Sequence, residues 1–136
     1  MEATVIWEKG LTFTGSAGTE FEVPLGGSGD AGGDDDGFRP MQLLAIGLAG
    51  CTAMDVISIL TKKHQQISSF EVRVTATQNT DHPRVFTHLK IDYLLTGENI
   101  DETAVQRAIE LSETKYCPAQ AMYKQIVPIE SSYQIN

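Results

Sequence analysis

The chain has 136 residues, of which 41% are hydrophobic and 21% are charged, and these values are typical of one globular domain over residues 1–136. Its formal net charge of −8 disfavours nucleic acid or an anionic membrane as the partner. Two cysteines, Cys51 and Cys117, are too few for a disulfide-rich secreted scaffold or a four-cysteine zinc module. Residues 1–9 lack the basic and apolar segments of a signal peptide, so we expect a cytoplasmic protein.

Three short β-like runs begin the chain, at 3–8, 11–14 and 19–23. Short segments that contain glycine separate them, as is typical of strands joined by tight turns. We therefore predict an antiparallel meander of three strands before residue 26.

A glycine- and aspartate-rich segment follows at 26–37, with six glycines, four aspartates and no basic residue. Glycine is costly to order and the aspartates repel one another, so we predict a mobile surface loop. Aspartates would also repel phosphate, which disfavours a phosphate-binding loop. A calcium loop stays open as a weaker alternative, although the aspartate spacing is not that of an EF-hand.

A long apolar helix is predicted over 41–63, with Pro40 in its first turn. Up to residue 60 its clearly polar side chains are Gln42, Thr52, Asp55 and Ser58, so the helix is apolar on nearly every side. Such a helix needs cover from a sheet or from a second subunit, and we infer a dimer. A membrane span is the alternative, and a charged residue in its interior argues against it.

Two strands, two helices and a final strand are predicted after this helix. The strands are at 67–77 and 85–95, Asp101 caps a helix, and Pro118 begins a short helix that ends at residue 124. The last strand, 126–135, contains Pro128, which favours the edge of a sheet or the start of a strand. The order β-β-β-α-β-β-α-α-β indicates an α+β fold with mostly antiparallel sheet.

The two cysteines are the strongest candidates for chemistry. Cys51 lies in the apolar helix among small residues such as Gly47 and Gly50, which allow another backbone or a substrate to approach. Cys117 precedes Pro118 at a helix N-terminus, where N–H groups lower the pKa of a thiol. The pair could form a redox couple, although the spacing does not show that the thiols meet. A buried structural thiol and an inert cap remain the alternatives.

Other titratable groups are less informative. Asp55 is one helical turn after Cys51, and we interpret it as a buried acid that is held by a hydrogen bond or a lysine. His64, His82 and His88 are dispersed, so surface histidines are favoured. A Cys/His metal site or a Cys–His pair stays open as an alternative.

Two motifs together resemble the OsmC-like family of osmotically inducible protein C and organic hydroperoxide resistance proteins. Residues 39–55 (RPMQLLAIGLAGCTAMD) are similar to its first cysteine motif, and 116–119 (YCPA) to its second. The order of elements also matches over nearly the whole chain. The residues around Met41 and Asp55 are most similar to those of a less-characterised branch, in which a Pro-Met-Glu-Leu-Leu segment precedes the cysteine helix. The resemblance implies an intertwined homodimer in which curved antiparallel sheets surround long buried central helices, with active sites near the subunit interface.

By this resemblance the chain is a thiol-dependent peroxidase for organic hydroperoxides, acting in oxidative stress defence. Cys51 matches the peroxidatic cysteine and Cys117 the resolving one, a dithiol or lipoylated protein would recycle them, and no metal or organic cofactor is implied.

The chain departs from the better-known peroxidases at the charged pair beside the first cysteine. Met41 stands where they have a glutamate, and no arginine precedes Arg39, so we expect slower attack on the peroxide. Arg39, Gln42 and Asp55 are the candidate supporting residues. A non-catalytic dimer that binds a small hydrophobic ligand is the alternative function, and a regulatory partner that acts through the aspartate-rich loop is a weaker one.

Overall fold

The computed structural model describes all 136 residues, in two compact units that comprise residues 1–44 and 45–136. The predicted order of strands and helices is confirmed. The elements are β1 (Thr4–Lys9), β2 (Thr12–Ser16), β3 (Glu22–Leu25), α1 (Pro40–Lys62), β4 (Gln66–Gln78), β5 (Phe86–Glu98), α2 (Glu102–Leu111), α3 (Pro118–Tyr123) and β6 (Ile129–Ile135).

The first unit contains the antiparallel meander β1–β2–β3. Gly15 pairs with Val5 on one side and Val23 on the other, and a Cβ at this position would lie 3.0 Å from the Leu25 side chain. Every residue of β1 is exposed, and its Trp7 keeps 64% of its surface accessible. The sheet therefore has apolar surface that its own unit leaves uncovered.

The glycine- and aspartate-rich segment lies at the surface, as predicted, but it follows a defined path. Main-chain hydrogen bonds close its two ends, from Gly26 N to the Phe38 carbonyl at 3.0 Å and from Phe38 N to the Pro24 carbonyl at 2.9 Å. Asp35 pairs with the guanidinium of Arg39. The carboxylate repulsion on which we based the predicted mobility is therefore partly offset, and the mobility itself stays a prediction.

Further partners hold the neighbouring carboxylates of this loop. The hydroxyl of Thr12 donates to Asp36 at 2.7 Å, and the ammonium of Lys9 lies 3.8 Å from Asp34. Both interactions are exposed, so each contributes little to stability, at most about 1 kcal/mol. Together with Arg39 they supply partners for three of the four aspartates in this segment.

One side of α1 is buried. Leu48, Thr52, Val56 and Leu60 recur every four residues and form this stripe. Other apolar residues of the helix are exposed to solvent, and Met54 keeps 73% of its surface accessible. By length and composition α1 could cross a membrane, a property that core helices of soluble proteins share. Within one chain α1 is therefore buried on one side only, as we expected of a helix that needs further cover.

The second unit contains the sheet β4–β5–β6, with β5 at its centre. β4 pairs with β5 antiparallel over most of its length, and its alternating half-buried residues confirm the predicted pattern. β5 contributes Leu89, Ile91, Tyr93 and Leu95 to the core, all fully buried. The core packs this face of β5 with the stripe of α1 and the buried residues of α2.

β6 is the exception to the antiparallel prediction, because it pairs with β5 in parallel. The chain can return in this direction because two helices separate the strands and carry it back along the sheet. Pro128 stands just before β6, and β6 is an edge strand, as its proline predicted. The predicted start at residue 126 is wrong, since residues 124–127 continue the turn after α3.

The segment between β5 and β6 brings the second cysteine to the core. Asp101 caps α2 by accepting from Thr103 N at 3.0 Å, as predicted. After α2 the chain makes one π-helical turn, Ser112–Tyr116, before α3 begins. The sequence did not predict this wider turn. Turns of this kind are frequent at functional sites, and this one places Ser112 in the core.

Candidate functional site

The two cysteines lie on different elements of the second unit. Cys51 is half-buried in α1, and Cys117 is 3% exposed at the N-cap of α3, which its sequence position predicted. The Cys117 sulfur accepts a hydrogen bond from Gln120 N at 3.4 Å. Both cysteines are free thiols.

The pKa of Cys117 moves in the direction opposite to the one we expected. Burial raises the pKa of this thiol to about 11, and the N–H groups of Gln120 and Ala119 only offset part of that effect. Cys51 adds to the rise through its side-chain interaction and its charge. The reason for the error is desolvation, which a helix of six residues does not overcome.

Asp55 is half-buried and accepts a hydrogen bond from the Ser112 hydroxyl at 3.0 Å. The prediction of a hydrogen-bonded acid is confirmed, with a serine of the π-helical turn as its partner instead of a lysine. Asp55 therefore joins α1 to the segment that leads into Cys117.

A buried hydroxyl cluster continues from this contact. The Thr52 hydroxyl lies 2.9 Å from that of Ser112 and 2.9 Å from that of Tyr93, and it accepts from the Gln120 side chain at 3.0 Å. We call Thr52, Tyr93, Ser112 and Gln120 the buried polar cluster. Thr52 follows one cysteine directly, and Gln120 stands three residues after the other.

The directions of these hydrogen bonds follow from counting donors. The Ser112 hydroxyl donates its one proton to Asp55, so it must accept from Thr52. Thr52 then has no second proton, and it accepts from Tyr93. Burial raises the pKa of Tyr93 to about 12, which keeps its phenol protonated and able to donate. The cluster is therefore a directed chain that ends on a carboxylate.

Reasoning from the sequence missed all four members of the buried polar cluster. One signal was available for Thr52, because a polar residue in an otherwise apolar helix needs a partner when it is buried. Tyr93 had a signal too, because it alternates with the apolar residues of the buried face of β5. Ser112 follows Ala108 by one helical turn on the apolar stripe of α2, and Gln120 had no such signal.

Arg39 and Gln42 belong to the first unit, where both have structural partners. The guanidinium of Arg39 pairs with Asp35 and donates to the Gly37 carbonyl at 2.8 Å. Gln42 accepts from Arg39 N at 3.0 Å, the reciprocal contact of a capping box at the start of α1. Their partners are thus the aspartate-rich loop and the helix terminus.

A groove of about 410 Å³ opens beside Asp55 in the second unit. It has an apolar wall and two exposed lysines, and its lining includes Ile59, Leu111, Tyr116, Lys62 and Lys63. A groove of this size suits a small ligand with an apolar body. No group of three or more His, Cys, Asp or Glu side chains is arranged to hold a metal ion.

Comparison with known proteins gives a consistent result. A protein-family model described as OsmC-like protein matches residues 33–132. The chain is 36% identical to Protein YhfA of Escherichia coli strain K12 over 135 residues, which is 99% of this chain and 98% of YhfA.

Solved structures show the same fold. A hypothetical protein from Aquifex aeolicus VF5 is 26% identical, with a TM-score of 0.82 over 99% of this chain and 96% of that one. An organic hydroperoxide resistance protein from Elizabethkingia anophelis is 16% identical, with a TM-score of 0.70 over 98% of this chain and 94% of that one. At 16% identity the second likeness concerns the fold alone.

Proposed function

The chain belongs to the OsmC-like family, and from this premise we propose that it is a thiol-dependent peroxidase that reduces organic hydroperoxides in oxidative stress defence. The observation that carries the proposal is that Gln120 joins the two cysteine segments: its N–H donates to the sulfur of Cys117 and its side chain donates to Thr52, the residue after Cys51. The name of the Elizabethkingia anophelis protein, organic hydroperoxide resistance protein, supports this substrate class.

Cys51 is the residue that attacks in this proposal. Its thiolate attacks the terminal oxygen of the hydroperoxide, the O–O bond breaks, and the alkoxide takes up a proton and leaves as the alcohol. Cys51 is then a sulfenic acid. The half-buried position of Cys51 and the raised pKa of Cys117 support this order, because a thiol that is protonated at neutral pH is a poor first nucleophile.

Cys117 then resolves the sulfenic acid. Its sulfur attacks the sulfur of Cys51, the S–O bond breaks, and the Cys117 proton leaves with the hydroxide as water. The product is a disulfide between the two cysteines. An external dithiol or a lipoylated protein reduces it by thiol–disulfide exchange, and the cycle uses no metal or organic cofactor.

We also propose that residues 1–136 form a single OsmC-like domain that pairs with a second copy as a cytoplasmic homodimer. The family match begins at residue 33 and continues past residue 44, which supports one domain. The apolar residues that one chain leaves open support the dimer, among them Trp7 in β1 and Met54 in α1. Apart from adjacent residues and the helix's own backbone, no atom of the chain lies within 4 Å of the Cβ position of Gly47 or Gly50, which leaves room for a partner.

Peroxidase assays with cysteine variants test this function. The wild type is expected to consume tert-butyl hydroperoxide in the presence of dithiothreitol, and Cys51→Ser to lose this activity. Cys117→Ser should stop after the first step and leave a sulfenic acid that dimedone traps on Cys51. Absence of turnover in folded protein, with dithiothreitol and dihydrolipoamide both tried, would contradict the proposal.

The second candidate function is non-catalytic binding of a small hydrophobic ligand. The groove beside Asp55 favours it, together with Met41 at the position where the better-known peroxidases have a glutamate. Native mass spectrometry of freshly purified protein distinguishes the two functions. A co-purified ligand with no hydroperoxide turnover supports binding, and turnover of an unliganded protein supports the peroxidase.

A further inference from the structure

We propose that Gln120 is a positioning residue that holds the Cys117 segment against α1 and so sets the rate at which the two cysteines form a disulfide. Its backbone N–H donates to the Cys117 sulfur at 3.4 Å, and its side chain donates to the Thr52 hydroxyl at 3.0 Å. Gln120 is 3% exposed, so water does not replace these contacts. A role of these two hydrogen bonds in catalysis rests on the proposed function, whereas their effect on disulfide formation does not.

The hydroxyl of Thr52 is fixed in place because all of its hydrogen-bonding positions are occupied. It donates to Ser112 and accepts from both Tyr93 and Gln120, so all three hydrogen-bonding positions of the oxygen are used. A buried donor that loses its acceptor carries the full cost of desolvation. Gln120 is therefore held to the residue that follows Cys51.

Gln120 acts on the second chemical step. Its hydrogen bonds reach Cys117, Thr52 and Tyr93. In that step the S–O bond of the Cys51 sulfenic acid breaks, the S–S bond forms, and the Cys117 proton leaves in water. When α1 and the N-terminus of α3 are held in one arrangement, the effective concentration of the Cys117 thiol at the Cys51 sulfur is high. This effective concentration falls when either segment can move.

Gln120→Met isolates the side-chain link. Methionine has a similar length and helix propensity, and the backbone N–H to Cys117 remains. We expect conversion of the Cys51 sulfenic acid to the disulfide to slow about tenfold, a factor that corresponds to roughly 1.4 kcal/mol. Dimedone trapping and overoxidation to sulfinic acid should rise accordingly.

Two matched variants separate this effect from general destabilisation. Gln125 is exposed and donates to the Ala121 carbonyl, so Gln125→Met should form the disulfide at the wild-type rate. Ile109→Val weakens the core in α2 without touching the link, and it should also leave that rate unchanged. If Gln120→Met does not fold, variants of Thr52 test the same hydrogen bond. Thr52→Val, which removes the hydroxyl, should slow disulfide formation, and Thr52→Ser, which keeps it, should form the disulfide at the wild-type rate.

The deciding experiment uses two oxidants on the reduced full-length protein, with disulfide formation followed by acid quenching, alkylation and intact mass. Diamide needs no peroxidase chemistry, so it tests the link alone, and tert-butyl hydroperoxide tests the link and the proposed function together. Slower closure with diamide in Gln120→Met, but not in Gln125→Met, supports the inference. Equal rates in wild type and folded Gln120→Met, or a wild type that forms no internal disulfide, overturns it. Closure with diamide and no reaction with the hydroperoxide contradicts the proposed function and leaves the inference standing.

Discussion

Thr52 and Ser112 stand 60 positions apart in the chain, and their hydroxyl oxygens lie 2.9 Å apart in the core. This contact joins α1 to the π-helical turn that precedes Cys117. Tyr93 and Gln120 converge on the same threonine from β5 and α3. Four elements thus meet at one buried oxygen, beside the two cysteines.

Removal of the Ser112 hydroxyl should destabilise the protein. Ser112→Ala deprives Thr52 of its acceptor and Asp55 of a donor, and an unpaired buried group costs about 1–3 kcal/mol. The measurement is the free energy of unfolding in urea. Ser68→Ala is the matched control, because Ser68 is exposed, and it should change stability by no more than about 0.5 kcal/mol. Equal effects of the two substitutions would contradict the role of the buried polar cluster.

The two thiols should react at different rates near neutral pH. Because the pKa of Cys117 is raised to about 11 and its side chain is buried, iodoacetamide at pH 7.5 should modify Cys51 and leave Cys117 unmodified in the folded protein. Peptide mass spectrometry after a short reaction locates the label, and the urea-unfolded protein, in which both thiols react, is the control. Faster labelling of Cys117 than of Cys51 would reverse the proposed roles.

Stability should fall at alkaline pH because of Cys117. Folding raises the pKa of this thiol from 9.0 to about 11, so the folded state favours the protonated form. The resulting stabilisation is fully present below pH 9 and is lost as the pH rises toward 11, because the unfolded chain releases the proton first. Urea unfolding of wild type and Cys117→Ser measures this. The stability difference between them should shrink from pH 8 to pH 11, and a constant difference would count against the raised pKa.

Arg39 should matter for the aspartate-rich loop. Arg39→Ala removes the partner of Asp35 and a donor to the Gly37 carbonyl, so amide hydrogen exchange over 26–37 should accelerate. Arg84→Ala changes an exposed arginine elsewhere and should leave this segment unchanged. Slower alkylation of Cys51 in Arg39→Ala, with unchanged exchange in the loop, would instead indicate a supporting role at the thiol.

The open side of α1 should be where a second copy binds. Met54→Glu adds a charge to a side chain that is 73% exposed in one chain, so it should weaken the proposed dimer at least about tenfold and leave the fold intact. Sedimentation velocity over a range of concentrations measures the association, and circular dichroism checks the fold. Thr80→Glu, at an exposed polar position in the turn between β4 and β5, is the control. A dimer that Met54→Glu does not weaken would have to use another surface.

Much of the fold could be predicted from the sequence because its signals are local. Alternation over 67–77 predicted a half-buried strand, and Asp101 and Pro118 marked the starts of two helices, since strand faces and helix caps depend on residues within four positions of each other. The position of Cys117 as the N-cap of α3 could also be predicted, because Pro118 follows it directly. Its role in chemistry, like that of Cys51, remains a prediction from the resemblance.

Tertiary structure decided what depends on distant residues. The parallel pairing of β6, the contacts of Asp34 with Lys9 and of Asp36 with Thr12, and the buried polar cluster all join residues far apart in the chain. The pKa of Cys117 is the clearest case: its helix position predicted a lower value, and burial in a core built from other elements raises it. Desolvation depends on everything packed around an atom, and a local sequence pattern contains no measure of it.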